Sequence, residues 1–224
     1  MSLIVRIVRH GASVLFDRLE EDEDRDTTRQ KRTTHLGIKG AEQADLTGQR
    51  LAKLDLDVAV TSPFFRAKKT LEIIGQHCPV FPNVIEDLRE IDRGVDGLSG
   101  LDPNVIRYKI WRGRVFSKTH DLNSKFLPED ESYGEFLTRV IRFKNWLPKE
   151  FDNQKLLVVG HSQFFALLLT TVVHGDSPNQ SVVFSSINRY FMSHCGITEI
   201  RWHPRFGWKI VYFNDTSHLK QHPA

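Results

Sequence analysis

Short apolar runs alternate with longer amphipathic stretches along this chain. Three apolar runs predict strands, at Ile4–Val8, Asp57–Thr61 and Lys155–Gly160. Apolar residues that recur at helical intervals predict helices, at about Lys39–Leu54, Arg66–Gln76, Ser132–Phe151 and Phe164–Val173. Strands that alternate with helices are typical of a mainly parallel sheet with helices on both faces. The pattern therefore predicts an α/β fold, a three-layer sandwich.

Less regular segments complete the organisation of the chain. Thr198–Trp202 and Lys209–Phe213, joined through Pro204–Gly207, predict a hairpin at one sheet edge. Residues 16–32 are dominated by charged side chains and predict a solvated loop. Residues 93–130 show no clean periodicity and are punctuated by glycine and proline. We interpret them as an irregular insertion that covers one end of the sheet, within a single domain spanning residues 1–224.

The composition is that of an ordinary globular protein. Of the 224 residues, 40% are hydrophobic and 26% are charged, which excludes collagen-like, coiled-coil and wholly disordered chains. The formal net charge is only +3, an excess too small to indicate a nucleic acid partner. The two cysteines, Cys78 and Cys195, are too few for a disulfide framework and are not spaced as zinc ligands. We therefore expect two buried thiols in a reducing compartment.

The chain also lacks the sequence features of membrane and secreted proteins. No stretch approaches the ~20 consecutive apolar residues that a membrane span requires. The first residues lack the apolar core and small-residue cleavage site of a signal peptide. We expect a cytoplasmic protein with no membrane partner.

Histidine and arginine side chains follow the predicted strands. His10 comes directly after the first strand with Arg9 beside it, and His161 comes directly after the strand Lys155–Gly160. Arg66 begins the helix that follows a third strand. In an open parallel sheet ligands bind outside the carboxyl ends of the strands, so these four side chains are predicted to converge on one cleft. The guanidinium fork suits phosphate oxygens, which indicates a phosphate pocket.

Two common alternatives for such a cleft do not match the sequence. Gly160-His161-Ser162 lacks the glycine spacing and the Lys-Ser/Thr pair of a nucleotide-binding loop. No Gly-x-Ser-x-Gly element of a serine hydrolase occurs. His218 and His222 are four residues apart and could share a helical face toward a metal, but we favour a packed His218 in a terminal tail and predict no metal site.

Five ordered segments resemble the motifs of the histidine phosphatase superfamily, the phosphoglycerate-mutase-like proteins. They are Val8-Arg9-His10-Gly11, Thr61 to Thr70, Leu88 to Gly94, Gly160-His161-Ser162 and Asn214 to Leu219. The resemblance extends over nearly the whole chain, and the Leu88 to Gly94 stretch is most similar to the bisphosphatase and broad phosphatase branches. It implies that His10 accepts the phosphoryl group, that Arg9, Arg66 and His161 form the phosphate pocket, and that Glu90 is the proton donor.

The chemistry of these residues leads to a functional hypothesis. A neutral imidazole at His10 attacks phosphorus, and water later hydrolyses the phosphohistidine. Arg9 and Arg66 keep His10 neutral and, with His161, stabilise the charge on the transferred phosphoryl group. Glu90 protonates the leaving alkoxide and then deprotonates water. We expect phosphomonoester hydrolysis of a small phosphorylated metabolite or a phosphohistidine protein, with no metal and no cofactor.

Several alternatives stay open at the sequence level. Glu86, Asp87 and Asp92 lie close enough to Glu90 to be the proton donor instead. Ser13 could hydrogen-bond phosphate or be an ordinary loop serine. A mutase that returns the phosphoryl group to its substrate is a second function, although the long insertion that mutases of this kind use is not evident. A phospho-ligand-binding protein without turnover is a third, because Ala12 and Phe16 depart from the residues usual in the family.

Overall fold

The computed structural model describes residues 2–14, 34–91, 106–107, 109–111 and 121–219. The strands are β1 Leu3–Arg9, β2 Val58–Thr61, β3 Pro82–Val84, β4 Lys155–Gly160, β5 Ile197–His203 and β6 Gly207–Asp215. The α-helices are α1 Ile38–Leu51, α2 Phe65–Gly75, α3 Tyr133–Glu150, α4 Ser162–His174 and α5 Gln180–Arg189. Short 3₁₀ turns occupy Ala52–Leu54, Glu86–Leu88 and Ser217–Leu219.

The strands form one sheet in the order β3-β2-β4-β1-β5-β6. The first four strands of that order run parallel, and β5 is antiparallel to β1. Arg9 lies opposite Gly160, and Thr61 lies opposite Val159, so β1, β2 and β4 end at the same edge. Ile197 at the start of β5 lies opposite Val8, which brings the amino end of β5 to that edge as well. The α/β class with a mainly parallel sheet is confirmed.

Alternate residues of the central strands pack into two apolar layers. One cluster unites the β1 residues Leu3, Val5 and Ile7 with α3, α4 and α5. The other places Val8 with Leu157 and Val159 of β4 against α2. Strand β4 is buried on both faces, as its continuous apolar run predicts. The three-layer arrangement follows from these two layers, one on each side of the sheet.

The predicted elements are found with shifts at their ends. Helix α3 begins after Ser132, whose hydroxyl accepts a hydrogen bond from the Glu135 N–H, and the predicted capping box is confirmed. Helix α1 ends at Leu51 rather than Leu54, because the chain tightens into a 3₁₀ turn before Asp55, whose φ is 46°. Helix α4 begins at Ser162, two residues before the predicted start, because a carboxylate distant in sequence caps its first turn. The hairpin of β5 and β6 is confirmed.

Two elements carry no strong signal in the apolar pattern. Strand β3 has three exposed residues, including a proline, and pairs only with β2 in the described sheet. Helix α5 begins after Asn179, whose side chain accepts a hydrogen bond from the Val182 N–H. This N-cap, followed by the apolar residues Val183, Phe184 and Ile187, is the signal that could have predicted α5.

Some sequence expectations fall on residues outside those described. The charged loop 16–32, His222 and Asp92 lie outside them, and of the insertion 93–130 only residues 106–107, 109–111 and 121–130 are described. His218 packs in the fold, with Nε2 3.0 Å from the Thr47 hydroxyl. Both cysteines are free and buried, as expected. Within the described ranges, no helix combines the length and apolarity needed to cross a membrane.

Candidate active site

The loop that follows β1 is held from two sides by helices. A Cβ on Gly11 would lie 2.3 Å from the carbonyl oxygen of Gly40 in α1, so no side chain fits at Gly11. The Gly11 N–H donates to the Thr70 hydroxyl of α2 at 3.1 Å. The Ala12 N–H donates to the Gln43 side-chain oxygen of α1 at 3.0 Å. These contacts fix the backbone directly after His10.

The hydrogen bonds of His10 define its tautomer. Its Nδ1 lies 2.7 Å from the carbonyl oxygen of Gly11, which can only accept, so Nδ1 carries the proton. Its Nε2 accepts a hydrogen bond from Arg66 Nε at 3.1 Å, because an arginine nitrogen can only donate. His10 is therefore neutral, and the lone pair on Nε2 lies beside a cation. This is the state that a nitrogen nucleophile requires.

Arg66 joins His10 to the second predicted histidine. Its Nη2 donates to Nδ1 of His161 at 3.2 Å, so His161 is protonated on Nε2, which donates to the Ser62 hydroxyl at 2.7 Å. The Phe64 ring packs against the Arg66 guanidinium, with its centroid 5.0 Å from the guanidinium carbon. Arg66 is 2% exposed and His161 is fully buried. A single buried guanidinium thus bridges the two imidazoles.

Arg9 supplies a second guanidinium at the same edge. Its Nη1 donates to the carbonyl oxygen of Met192 at 2.7 Å, and its guanidinium carbon lies 5.1 Å from the ring centroid of Phe191. Its Nε is buried with no hydrogen-bond partner among the described residues, which is a donor position suited to an anion. Burial lowers the pKa of Arg9 to about 10, and the nearby charge of Glu90 opposes that shift. Arg9 remains a cation at neutral pH.

Burial and the arginines keep the histidines neutral. The pKa of His10 lies well below 6.5, first because the ring is buried and then because of the Arg66 charge. The pKa of His161 is lowered in the same way, by burial and then by Arg66 and Arg9. The site therefore combines fixed cations with uncharged imidazoles at neutral pH.

Glu90 reaches this edge by capping the first turn of α4. Its Oε2 accepts from the Gln163 N–H and its Oε1 from the Phe164 N–H, both at 3.1 Å. The Ile91 N–H also donates to Oε1, at 3.3 Å. Because His161 is the N-cap of the same helix, Glu90 and His161 are brought together at one helix terminus.

Of the alternative proton donors near Glu90, Asp87 is engaged by an arginine outside the site. Asp87 forms a two-point ion pair with Arg142, at 2.8 and 2.6 Å, on the outer side of α3. Glu86 is exposed, and Asp92 lies outside the described residues. The structure thus brings His10, Arg9, Arg66, His161 and Glu90 to one edge of the sheet, and their catalytic and binding roles stay predictions.

The turn that carries Glu90 is held by Arg139, which sequence reasoning missed. Its Nη1 donates to the carbonyl oxygens of Asp87 and Arg89, at 2.7 and 2.8 Å. Its Nε and Nη2 donate to the two carboxylate oxygens of Glu131, at 2.8 and 2.6 Å. Arg139 is 3% exposed, so this is a buried ion pair in the core side of α3. The signal available in the sequence was an arginine at a position of the helix where the pattern predicts an apolar residue.

Two further residues lie close to His10 in sequence or in space. Ser13 is fully buried and forms a β-bridge with Leu36, in the loop that follows β1. His194, which sequence reasoning also missed, has its ring centroid 5.5 Å from that of His10.

Among the described residues, no group of three or more histidine, cysteine or acidic side chains is arranged to hold a metal ion.

Comparison with known proteins identifies the family. The sequence profile of the histidine phosphatase superfamily (branch 1) matches residues 5–216. The chain belongs to the histidine phosphatase superfamily. The "Uncharacterized phosphatase PhoE" of Bacillus subtilis (strain 168) is 28% identical over 186 residues, 82% of this chain and 83% of that protein.

Other members of the superfamily carry different names. The "Probable phosphoglycerate mutase GpmB" of Erwinia tasmaniensis is 25% identical over 224 residues, 97% of this chain and 95% of that protein. The alpha-ribazole phosphatase of Shigella flexneri has the same fold, with a TM-score of 0.74 and 18% identity over 95% of this chain and 96% of that one. The superfamily thus includes relatives named as phosphatases and as mutases.

The neutral histidines predict an acid-sensitive fold. Below pH 6.5 the unfolded chain binds protons at His10 and His161, whereas the folded protein does not, so the free energy of unfolding falls as the pH falls. The slope is at most about 1.4 kcal/mol per pH unit for each histidine. We expect His161→Gln to have a shallower slope than the wild type between about pH 6.5 and 5 in urea unfolding. Equal slopes would show that His161 is not held neutral by the fold.

Proposed function

We propose that this protein is a phosphomonoester phosphatase that works through a phosphohistidine on His10. The observation that carries this proposal is the Arg66 bridge, in which Nε lies 3.1 Å from His10 Nε2 and Nη2 lies 3.2 Å from His161 Nδ1. It holds an unprotonated nucleophilic nitrogen beside a fixed cation. That combination suits attack on a negatively charged phosphoryl group.

The phosphate pocket is formed by Arg9, Arg66 and His161. When a phosphomonoester binds, the Nε–H of Arg66 transfers its hydrogen bond from His10 Nε2 to a phosphoryl oxygen, which frees the nitrogen lone pair. Arg9 offers its buried Nε–H to a second oxygen. Arg66 Nη2 also turns its N–H from His161 Nδ1 to the phosphoryl group, and the dianion offsets the arginine charge. His161 Nδ1 then takes a proton from solvent, donates to the phosphoryl group, and returns that proton when phosphate leaves.

The first step transfers the phosphoryl group to the enzyme. The lone pair of His10 Nε2 forms the bond to phosphorus as the bond to the leaving oxygen breaks. Glu90, in its protonated form, gives its proton to that oxygen and releases the alcohol. The Gly11 carbonyl keeps its hydrogen bond with Nδ1–H throughout, which orients the ring and stabilises the positive charge that develops on it.

The second step returns the enzyme to its starting state. Glu90, now a carboxylate held by backbone N–H groups at the start of α4, takes a proton from water. The water oxygen forms the new bond to phosphorus, and the phosphorus–nitrogen bond breaks. Nε2 recovers its lone pair, inorganic phosphate leaves, and Arg66 again donates to Nε2.

The donor set favours hydrolysis without a metal or cofactor. The imidazole nitrogens that face each other across the site both accept from Arg66, so a guanidinium occupies the position between them. A cation there would repel a metal ion, and the arginines themselves neutralise the phosphoryl charge. The two free, buried thiols support a reducing, cytoplasmic setting.

The substrate we propose is a small phosphorylated metabolite or a phosphohistidine protein. The PhoE relative is named as a phosphatase, which supports hydrolysis. Phosphoryl transfer of the phosphoglycerate-mutase type is the second candidate, because a relative of that name matches 97% of the chain. A mutase must protect its phosphoenzyme from water, and the lifetime of that species separates the two functions.

The central test is the removal of the nucleophile. We expect His10→Ala to reduce turnover of phosphomonoesters by at least about 10³-fold in EDTA-containing buffer, because a missing nucleophile blocks the covalent route. Quenching the wild type with ³²P-labelled substrate should trap an acid-labile, base-stable adduct that His10→Ala lacks. His174→Ala removes an exposed histidine at the end of α4 and is the matched control.

Three results would contradict parts of this proposal. More than about a tenth of wild-type activity in His10→Ala would exclude His10 as the nucleophile. A wild-type activity that EDTA abolishes and magnesium restores would contradict the metal-free mechanism. A phosphoenzyme that persists in water and returns its phosphoryl group to an added phosphate ester would identify a mutase.

The role of Glu90 is tested by varying the leaving group. Glu90→Gln cannot donate a proton, so we expect its kcat to fall by about 10²-fold or more with an alkyl phosphate. The loss should be far smaller with p-nitrophenyl phosphate, because that phenolate departs with little help from an acid. Equal losses on both substrates would argue against general acid catalysis by Glu90.

Two companion variants sharpen that test. Glu86→Gln changes an exposed carboxylate on the same turn and should leave both rates within about 2-fold, whereas a large alkyl-specific loss would move the proton donor to Glu86. Arg139→Lys keeps the charge beside Glu131 but cannot make the four hydrogen bonds that hold the turn. It should show the same alkyl-specific loss in a milder form.

A further inference from the structure

A third histidine ring lies against the nucleophile. The ring centroid of His194 is 5.5 Å from that of His10, at an interplanar angle of 49°, close to the 5.2 Å that separates His10 from His161. His194 lies in the loop between α5 and β5, at the edge of the sheet where the parallel strands end. The family motifs in this sequence assign it no role.

The loop on both sides of His194 is tied to the strand that carries the nucleophile. The Arg9 guanidinium donates to the Met192 carbonyl at 2.7 Å. The Cys195 N–H donates to the Arg9 carbonyl at 3.0 Å. Because Arg9 directly precedes His10, these two hydrogen bonds set the position of His194 relative to His10.

Asn214 of β6 clamps the same loop from the other side. Its Oδ1 accepts from the Ser193 N–H at 2.9 Å, and its Nδ2 donates to the Ser193 hydroxyl at 3.3 Å. A Cβ on Gly196 would lie 2.2 Å from Asn214 Oδ1, so the clamp requires glycine there. The position of His194 is therefore fixed by hydrogen bonds of the residues immediately before and after it.

The backbone of the clamp is also held in an uncommon conformation. Cys195 has a φ of 56° and Asn214 a φ of 52°, both in the left-handed region, which is strained for a residue such as cysteine. Strain of this kind persists where surrounding contacts require a particular geometry, and it clusters at functional sites. Here the geometry it maintains is the placement of His194 beside His10.

His194 is a neutral imidazole beside His10. Burial lowers the pKa of His194 well below its ordinary value, and the charges of Arg9 and Arg66 lower it further. Its ring centroid lies 5.5 Å from that of the proposed nucleophile. A neutral imidazole carries one N–H donor.

Before substrate binds, the N–H groups of the other two imidazoles already donate to groups of the protein. The N–H of His10 faces the Gly11 carbonyl, and that of His161 faces the Ser62 hydroxyl. We propose that His194 is a catalytic residue that donates a hydrogen bond to an oxygen of the phosphoryl group on His10. This role rests on the proposed phosphatase function and adds a neutral donor to Arg9, Arg66 and His161.

The test uses His194→Phe, which keeps a ring of similar shape but has no N–H. A hydrogen bond to a charged group contributes about 1.5–3 kcal/mol, so kcat should fall by about 10- to 100-fold. The Kd for vanadate, which adopts the five-coordinate geometry of phosphoryl transfer, should rise by a similar factor. His194→Asn and His194→Gln supply an amide N–H at the reach of either ring nitrogen, and we expect one of them to recover activity to within about 5-fold of the wild type.

The control is His203→Phe, the same substitution at a ring that stacks on Phe206 at the far end of β5. It should leave kcat and vanadate affinity unchanged within about 2-fold. A His194→Phe protein with wild-type kcat and vanadate affinity would overturn the role of His194. Equal losses in the Phe, Asn and Gln variants, accompanied by a lower Tm, would show a purely structural role and would also overturn it.

The same measurements separate this inference from the proposed function. A wild-type protein that binds no vanadate and hydrolyses no phosphomonoester would overturn the phosphatase proposal itself, whatever the variants do. An active wild type whose His194 variants are all active overturns only the role of His194.

Discussion

The guanidinium of Arg66 is the group on which the site depends. It donates to His10 Nε2 at 3.1 Å and to His161 Nδ1 at 3.2 Å, and so fixes the tautomer of both rings. The two donors reach both rings because the sheet register aligns their backbones: Arg9 lies opposite Gly160, and His10 and His161 are the next residues of their chains. Arg66 itself is placed by β2, which ends beside β4. The N–H of Ser62, the residue after β2, donates to the Val159 carbonyl, and helix α2, which carries Arg66, begins three residues later. The parallel sheet thus brings His10 and His161, which are far apart in the sequence, to the guanidinium of Arg66.

The part of the site that follows from strand ends could be predicted from sequence. A run such as Leu156-Leu157-Val158-Val159 specifies a buried strand, and parallel strands must end at a common edge, so the convergence of His10, Arg66 and His161 needs no knowledge of side-chain contacts. The glycine of the first motif also has a physical explanation, in the 2.3 Å approach to the Gly40 carbonyl. That explanation needs the packing of α1, which apolar periodicity does not specify.

The residues that sequence reasoning missed depend on contacts between segments far apart in the chain. His194 precedes a strand rather than following one, and only the antiparallel direction of β5 brings that amino end to the site. Arg139 lies within an amphipathic helix, and its role appears only when the Asp87 and Arg89 carbonyls are seen to accept from it. The apolar pattern predicts the start of α4 two residues too late for the same reason, because Glu90, which caps its first turn, precedes Ser162 by 72 positions.

The electrostatic requirements of the site conflict, and the choice of residue types resolves the conflict. A nucleophilic imidazole must be neutral, whereas the phosphoryl group needs positive charge beside it. A histidine or lysine cation in the same buried volume would lose its proton readily, because burial disfavours the charged form. Arginine keeps its charge even when burial lowers its pKa, as for Arg9, where the value falls only to about 10. Burial, and after it the charge of Arg66, lowers the pKa of His10 and so keeps the proposed nucleophile neutral. In the proposed reaction an arriving dianion offsets the charge of the arginines, and the buried guanidinium groups therefore favour binding of the phosphoryl group that His10 is proposed to attack.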